Sequence, residues 1–168
     1  MDKNLILIGM PSAGKSTVGV ILAKNLGMSF IDTDVLIQTT HGELLQVILN
    51  KVGPEVFLQK EEDAILSLDC GNTVVATGGS VVYSEKAMEH LKKNGIVIYL
   101  EIDMDTVNTR LRNLKTRGVV LSSGQTLQDI YSERKPLYEK YADIKLDCSN
   151  NSLEETLEAI HSKLTSLS

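Results

Sequence analysis

The chain lacks the paired cysteines, the long apolar runs and the basic excess that would each point to a different kind of protein. Its two cysteines, Cys70 and Cys148, lie far apart and outside any CxxC pattern. That spacing supports neither a disulfide framework nor a thiolate metal site, and it reads as two reduced thiols in or near a core. His41, His90 and His161 share no ligand-like spacing, so no structural zinc site is expected. The apolar stretch in the N-terminal MDKNLILIGM is too short to span a bilayer or to act as a signal h-region, and it runs straight into a loop motif. No membrane association and a cytoplasmic location are therefore expected. Lys and Arg number 17 against 22 Asp and Glu, a net charge of -5. This argues against nucleic acid or an anionic membrane as partner, but a local basic cluster could still grip a small anion. No repeat, low-complexity segment or Pro/Ser-rich linker divides the 168 residues. One domain over 1–168 is expected, long enough to bury roughly 70% of the surface its unfolded chain would expose.

What is present is an alternation of short apolar runs and helical periods. Asn4 to Ile8 is continuously apolar after its first residue, as in a strand buried on both faces. Helical spacing of Val18, Ile21, Leu22 and Leu26 predicts a helix from about Gly14 to Leu26, stopped by Gly27. Ser29 to Asp32 reads as a short strand, with a helix from near Val35. A further helical stretch, Leu44 to Val52, ends at Gly53, and Pro54 opens the next, to about Leu68. Asn72 to Ala76 is a strand before the small-residue loop Thr77-Gly78-Gly79-Ser80. Ser84 can cap a helix ending at Gly95. Ile96 to Ile102 is a strand, and a helix from about Asp105 to Leu114 follows. Thr116 to Gly124 reads as a loop. Thr126 to about Tyr141 is helical with an interruption near Pro136, Ile144 to Cys148 is the last strand, and Ser152 with Glu155 forms a capping box. Five strands alternating with helices imply parallel strands, right-handed crossovers and a three-layer α/β fold. Ligands in such folds bind beyond the carboxyl ends of the strands. Gly9, Asp32, Gly78 and Arg110 all follow predicted strands and should gather there.

The strongest chemical signal is Gly9-Met10-Pro11-Ser12-Ala13-Gly14-Lys15-Ser16, a full GxxxxGK[ST] match between a strand and a helix. Gly9 and Gly14 allow the tight turn around an anion. The amides of Ser12, Ala13, Gly14, Lys15, Ser16 and Thr17, with the helix N-terminus, form an anion cradle. Lys15 supplies a mobile point charge for the β- and γ-phosphates, and the Ser16 hydroxyl can coordinate Mg²⁺. The motif establishes nucleotide triphosphate binding, not chemistry. A GTPase should carry NKxD, which is absent; larger ATPases need more chain; a small-molecule kinase remains.

Phe30-Ile31-Asp32-Thr33-Asp34 places two carboxylates just past a strand. At i and i+2 they would point the same way, one toward a magnesium shell, the other able to take a proton from an attacking hydroxyl. The same pair could instead cap the next helix.

Together with Gly53, Phe57 and Glu61, the TGGS loop, Arg117 and Arg134-Lys135-Pro136-Leu137-Tyr138, these motifs make the chain resemble the shikimate kinases over nearly its whole length. That family belongs to the P-loop, nucleoside-monophosphate-kinase-like fold. The resemblance implies a five-stranded parallel sheet in the order 2-3-1-4-5, flanked by helices, with a lid over about 113–125 and an acceptor-binding segment over about 33–62. It implies ATP-dependent phosphorylation of the shikimate 3-hydroxyl on the route to aromatic amino acids, with Mg²⁺ as cofactor, by a monomer. Asp32 with Ser16 would serve the magnesium shell, and Asp34 would bind the acceptor hydroxyls and act as base or positioner. Gly78 and Gly79 would line the acceptor, the latter through its amide, beside Phe57. Arg134 would pair with the acceptor carboxylate, Arg117 would swing in from the lid to the transferring phosphoryl group, and Arg110 would stack on the adenine.

Three positions depart from the family pattern. Where the family has Phe-Arg, with the Arg gripping the carboxylate, this chain has Phe57-Leu58. One charge-assisted hydrogen bond, worth roughly 1.5–3 kcal/mol, is lost with it, about ten- to hundredfold in affinity if nothing replaces it. Lys60 would point elsewhere on the helix. The family's third glycine is Ser80, and its Arg-Pro-Leu-Leu lid is Arg117-Gly118-Val119-Val120. Two alternatives therefore stand beside shikimate: a kinase of the same fold acting on a sugar acid or an amino-acid-like hydroxyl, and a nucleotide-binding module without transfer activity.

Overall fold

A computed structural model of the chain describes residues 3–112 and 119–167. Strands β1 (Asn4–Ile8), β2 (Ser29–Asp32), β3 (Thr73–Ala76), β4 (Gly95–Glu101) and β5 (Ile144–Asp147) form one sheet in the order β2-β3-β1-β4-β5. All four pairings are parallel; Leu7, for example, sits between Ala76 and Ile98. Every residue of β1 and β3 is buried, which is why they read as unbroken apolar runs rather than alternating ones.

Helices α1 (Lys15–Leu26), α2 (Thr33–His41), α3 (Leu45–Leu66), α4 (Glu85–Lys93), α5 (Met104–Arg112) and α6 (Leu127–Tyr141) connect the strands, and α7 (Leu153–Thr165) follows the last of them. Two sets flank the sheet. Helix α1 packs on β2, β3 and α7, and α7 also covers β5; α4 packs on β4 and α3, and α6 also reaches β4. The main core includes Leu5, Ile6, Val74, Val75, Ile98, Leu100, Met88 and Ile160. A smaller cluster of Ile37, Leu45, Ile48, Leu49, Phe57 and Val120 lies under α2 and α3. No helix among the described residues is long and apolar enough to cross a membrane.

Several expectations are corrected. Helix α2 begins at Thr33 rather than near Val35, because the Asp32 side chain accepts the Asp34 and Val35 amides. The two helices expected on either side of Gly53 are present: α3 is broken at that residue (φ 80°, ψ 168°), and Pro54 opens its second part as expected. Gly95 does not end α4, which stops at Lys93; it is the first residue of β4, where a Cβ would stand 2.5 Å from the Leu91 carbonyl oxygen and 2.8 Å from Ile6 Cγ1. Close packing, not a helix stop, requires that glycine. Pro136 does not interrupt α6. The lost amide bond is outweighed by the buried Ile130, Arg134, Tyr138 and Tyr141, which anchor the helix on both sides of it. A short 3-10 turn, Val81–Tyr83, was not expected from sequence. The expected lid begins with residues outside the described part of the chain, Arg117 included.

Candidate active site

At the carboxyl edge of the sheet, the β1–α1 turn folds back on itself. Gly9 has φ +147°, and a Cβ there would lie 2.6 Å from the Leu100 carbonyl oxygen at the neighbouring tip of β4. Gly14 takes φ +90° at the head of α1. The Ala13 amide donates to the Met10 carbonyl, and Lys15 Nζ donates to the Gly9 and Met10 carbonyls at 2.7 and 2.8 Å. The lysine is 7% exposed, so its ammonium is held inside the loop that would receive an anion. Arg110 of α5 donates to the Ser12 carbonyl at 3.1 Å. It borders a cavity of about 210 Å³ with Ala13, Gly14, Thr17 and Cys148, on the outer side of the loop. That position suits a residue expected to meet a nucleotide base.

Asp32 caps a helix and also reaches the β1–α1 turn. Its Oδ1 caps α2, and its Oδ2 accepts the Ser16 hydroxyl at 2.5 Å. The argument that Asp32 and Asp34 align as i and i+2 on a strand is corrected, since Thr33 already belongs to α2 and Asp34 stands in its first turn. The two carboxylates are nevertheless brought to one cavity. Both line a cavity of about 220 Å³ whose walls also include Lys15, Ser16, Phe57, Glu61, Gly78, Gly79 and Ser80.

The far side of this cavity is built by the Gly78-Gly79-Ser80 loop packed against α3 and α6. The Gly78 amide donates to the Thr33 hydroxyl at 3.2 Å. A Cβ on Gly78 would fall 2.1 Å from Glu61 Oε1 and 2.9 Å from Asp34 Oδ1, and one on Gly79 would fall 2.9 Å from Pro11 Cδ. The carbonyl of Gly79 accepts the Tyr138 hydroxyl at 2.5 Å. Arg134 is 1% exposed; its Nε donates to the Tyr83 hydroxyl at 3.3 Å, its Nη2 to the Val120 carbonyl at 3.0 Å, and its guanidinium lies 5.2 Å from the Tyr83 ring centre. It stands behind Gly79, with Nη1 3.1 Å from the place of the missing Cβ. Phe57, 1% exposed, is both core and cavity wall.

Glu61 entered the sequence reading only as part of a resemblance. The structure makes it a wall of the cavity, 3% exposed, with Oε2 accepting the Ser80 hydroxyl at 2.6 Å. Burial pushes its carboxyl up to about 7; the Ser80 hydrogen bond opposes the rise, Asp34 adds to it, and Arg134 and Lys15 pull it down. A sequence signal existed: Phe57, Glu61 and Ile65 share one buried stripe of α3, and an acid there demands a polar surrounding. Leu58 borders a second cavity of about 160 Å³ with Gln59, Glu62 and Tyr83; Glu61 and Ser80 border both cavities. Lys60 is not among the described residues lining either.

The site thus combines a phosphate loop, an oxygen pair at Ser16 and Asp32, and a carboxylate facing a glycine shelf in one cavity. That arrangement suits phosphoryl transfer from a nucleotide to a small hydroxylated molecule. Comparison with known proteins agrees. The model of the family described as "Shikimate kinase" matches residues 11–165. The shikimate kinase of Thiobacillus denitrificans is 35% identical over 164 residues, 96% of this chain and 90% of that protein. Human threonine synthase-like 1 is 36% identical over 156 residues, which are 92% of this chain but 21% of that protein. The chain therefore spans about a fifth of the length of that relative. Among solved structures, shikimate kinase from Acinetobacter baumannii in complex with shikimate superposes with a TM-score of 0.91 at 30% identity, covering 99% of this chain and 94% of the other.

Proposed function

The chain belongs to the shikimate kinase family, and from that premise we propose that it transfers the γ-phosphoryl group of ATP to the 3-hydroxyl of shikimate. The observation that carries this reading is the shared cavity, in which Asp34 and the Gly78-Gly79 shelf face Lys15 across about 220 Å³. A triphosphate seated on the loop would draw Lys15 Nζ from the Gly9 and Met10 carbonyls to its β- and γ-phosphates. The acceptor would lie on the glycine shelf with its hydroxyl at Asp34 and its carboxylate toward Arg134. Asp34 orients the hydroxyl and takes its proton as the oxygen attacks. Positioning and charge stabilisation supply most of the rate enhancement. Arg117 is proposed to act from the lid on the transferring group, and Arg110 beside the base.

Ser16 and Asp32 fit a magnesium ion arriving with the nucleotide: a hydroxyl and a carboxylate 2.5 Å apart are hard oxygen donors. Such an ion takes its remaining ligands from water and phosphates. When bound, the ion neutralises charge on the phosphates.

A second reading, a kinase of the same fold with another acceptor, is favoured by Leu58, which removes a donor from the acceptor side. Coupled ADP release over a panel of hydroxylated acids tests both. Shikimate turnover with a KM of about 1 μM to 1 mM supports the first reading. Turnover of other acceptors alone supports the second, and nucleotide binding without transfer to any acceptor would leave only a binding module.

A further inference from the structure

The acceptor end of the cavity is dominated by carboxylates. With Lys15 engaged on a triphosphate, the titratable side chains left lining it near the glycine shelf, among the described residues, are Asp34 from α2 and Glu61 from α3. Arg134 of α6 stands behind Gly79, held by the Tyr83 hydroxyl and the Val120 carbonyl. Glu61 carries its buried carboxyl against the Ser80 hydroxyl, and Leu58, one helical turn before it, offers no donor. A buried carboxylate of this kind is stabilised by a cation brought to it. Hydroxylated amino acids bring one while keeping a carboxylate for Arg134 and a hydroxyl for Asp34.

We propose that this cavity also accepts a small hydroxy-amino acid, its ammonium group paired with Glu61, its carboxylate on the Arg134 side and its hydroxyl presented to Asp34. The proposal rests on the kinase reading above and deepens it. In the transfer step the acceptor oxygen bonds to the γ-phosphorus as the bond from that phosphorus to the β–γ bridging oxygen breaks. ADP leaves, and the hydroxyl proton passes to Asp34 and then to solvent.

The electrostatics of Glu61 separate the two acceptor classes. The charged groups acting on it are Asp34 from α2, Lys15 from α1 and Arg134 from α6, and burial outweighs the attraction of the two cations. An ammonium group favours the ionised carboxylate, so amino-acid turnover rises as pH increases through about 7. Shikimate brings only negative charge and gains nothing from that ionisation.

The test is coupled ADP release at about pH 6 and about pH 8 with L-serine, L-threonine, L-homoserine, shikimate and 4-hydroxybutyrate, the last having a hydroxyl and a carboxylate but no ammonium group. At least one amino acid is expected to exceed 4-hydroxybutyrate in kcat/KM by about tenfold or more, the worth of one charge-assisted contact, and by a wider margin at the higher pH. Glu61→Gln, verified as folded by circular dichroism, is expected to lower the amino-acid-to-shikimate ratio by about tenfold. If every amino acid matches or trails 4-hydroxybutyrate, the proposal is overturned without recourse to the variant; an unchanged ratio in Glu61→Gln overturns it as well. Shikimate turnover alone would then leave the family reading intact, whereas no transfer to any acceptor would remove both.

Discussion

One carboxylate ties the β1–α1 loop to helix α2: Asp32 accepts the Ser16 hydroxyl on one oxygen at 2.5 Å and the Asp34 and Val35 amides on the other at 3.0 and 3.3 Å. The first residue of α1 after the lysine and the first turn of α2 thus share a single side chain at the tip of β2. Local capping and site geometry are the same interaction here, so Asp32 cannot move without disturbing Asp34.

Asparagine caps helices about as well as aspartate. Asp32→Asn should therefore keep stability within about 1 kcal/mol while removing the anionic oxygen offered to magnesium. We expect the magnesium concentration for half-maximal turnover to rise at least about tenfold, with little change in thermal midpoint. An unchanged magnesium titration would remove Asp32 from the metal shell.

Lys15→Ala and Asp34→Ala should each lower turnover by about a hundredfold or more, one through lost charge at the phosphates and the other through lost orientation of the acceptor hydroxyl. Steady-state ADP release measures both. Near-normal turnover in a folded Asp34→Ala protein would end its assigned role.

Gly78→Ala forces a methyl group toward two carboxylates, 2.1 Å from Glu61 Oε1 and 2.9 Å from Asp34 Oδ1. Overpacking of this kind costs about 1–3 kcal/mol. The acceptor KM should rise more than the ATP KM, because the shelf moves and the phosphate loop does not. Equal effects on the two substrates would count against the shelf.

The Glu61 carboxyl, raised from an ordinary 4.5 to about 7 by burial, makes stability pH-dependent. The native state holds a proton there that the unfolded chain has already released, so this contribution is complete below about pH 4.5 and is lost as pH rises through about 7. The full swing is on the order of 3 kcal/mol at most. Urea unfolding across that range should show falling stability in the wild type and a flatter profile in Glu61→Gln.

Leu58→Arg would return a guanidinium beside the Glu61–Ser80 wall. If shikimate is the acceptor, its KM should fall by about tenfold or more with kcat little changed. A rise in KM would show that the cavity is shaped for something other than a second carboxylate contact.

Much of this was legible in the chain. The phosphate loop, the five strands and the caps at Ser84 and Ser152 are local, and each is specified within a few residues. The errors were also informative: Gly95 and Pro136 carry strong local signals that the packing of β4 and α6 overrode. Glu61 and Ser80, nineteen residues apart, cannot be seen to touch from spacing, nor can spacing show that Arg134 is held by Tyr83 and Val120.

The sequence by itself determined that a glycine-rich GxxxxGKS turn sits between a buried strand and a helix, because hydrogen bonding and backbone torsion there are settled by adjacent residues. Only the tertiary structure decided what faces that turn. The meeting of Asp34, Glu61 and the glycine shelf, and the charge state burial imposes on Glu61, arise from contacts between α2, α3, α6 and the end of β3, and burial is a property of the packed whole that no single segment carries.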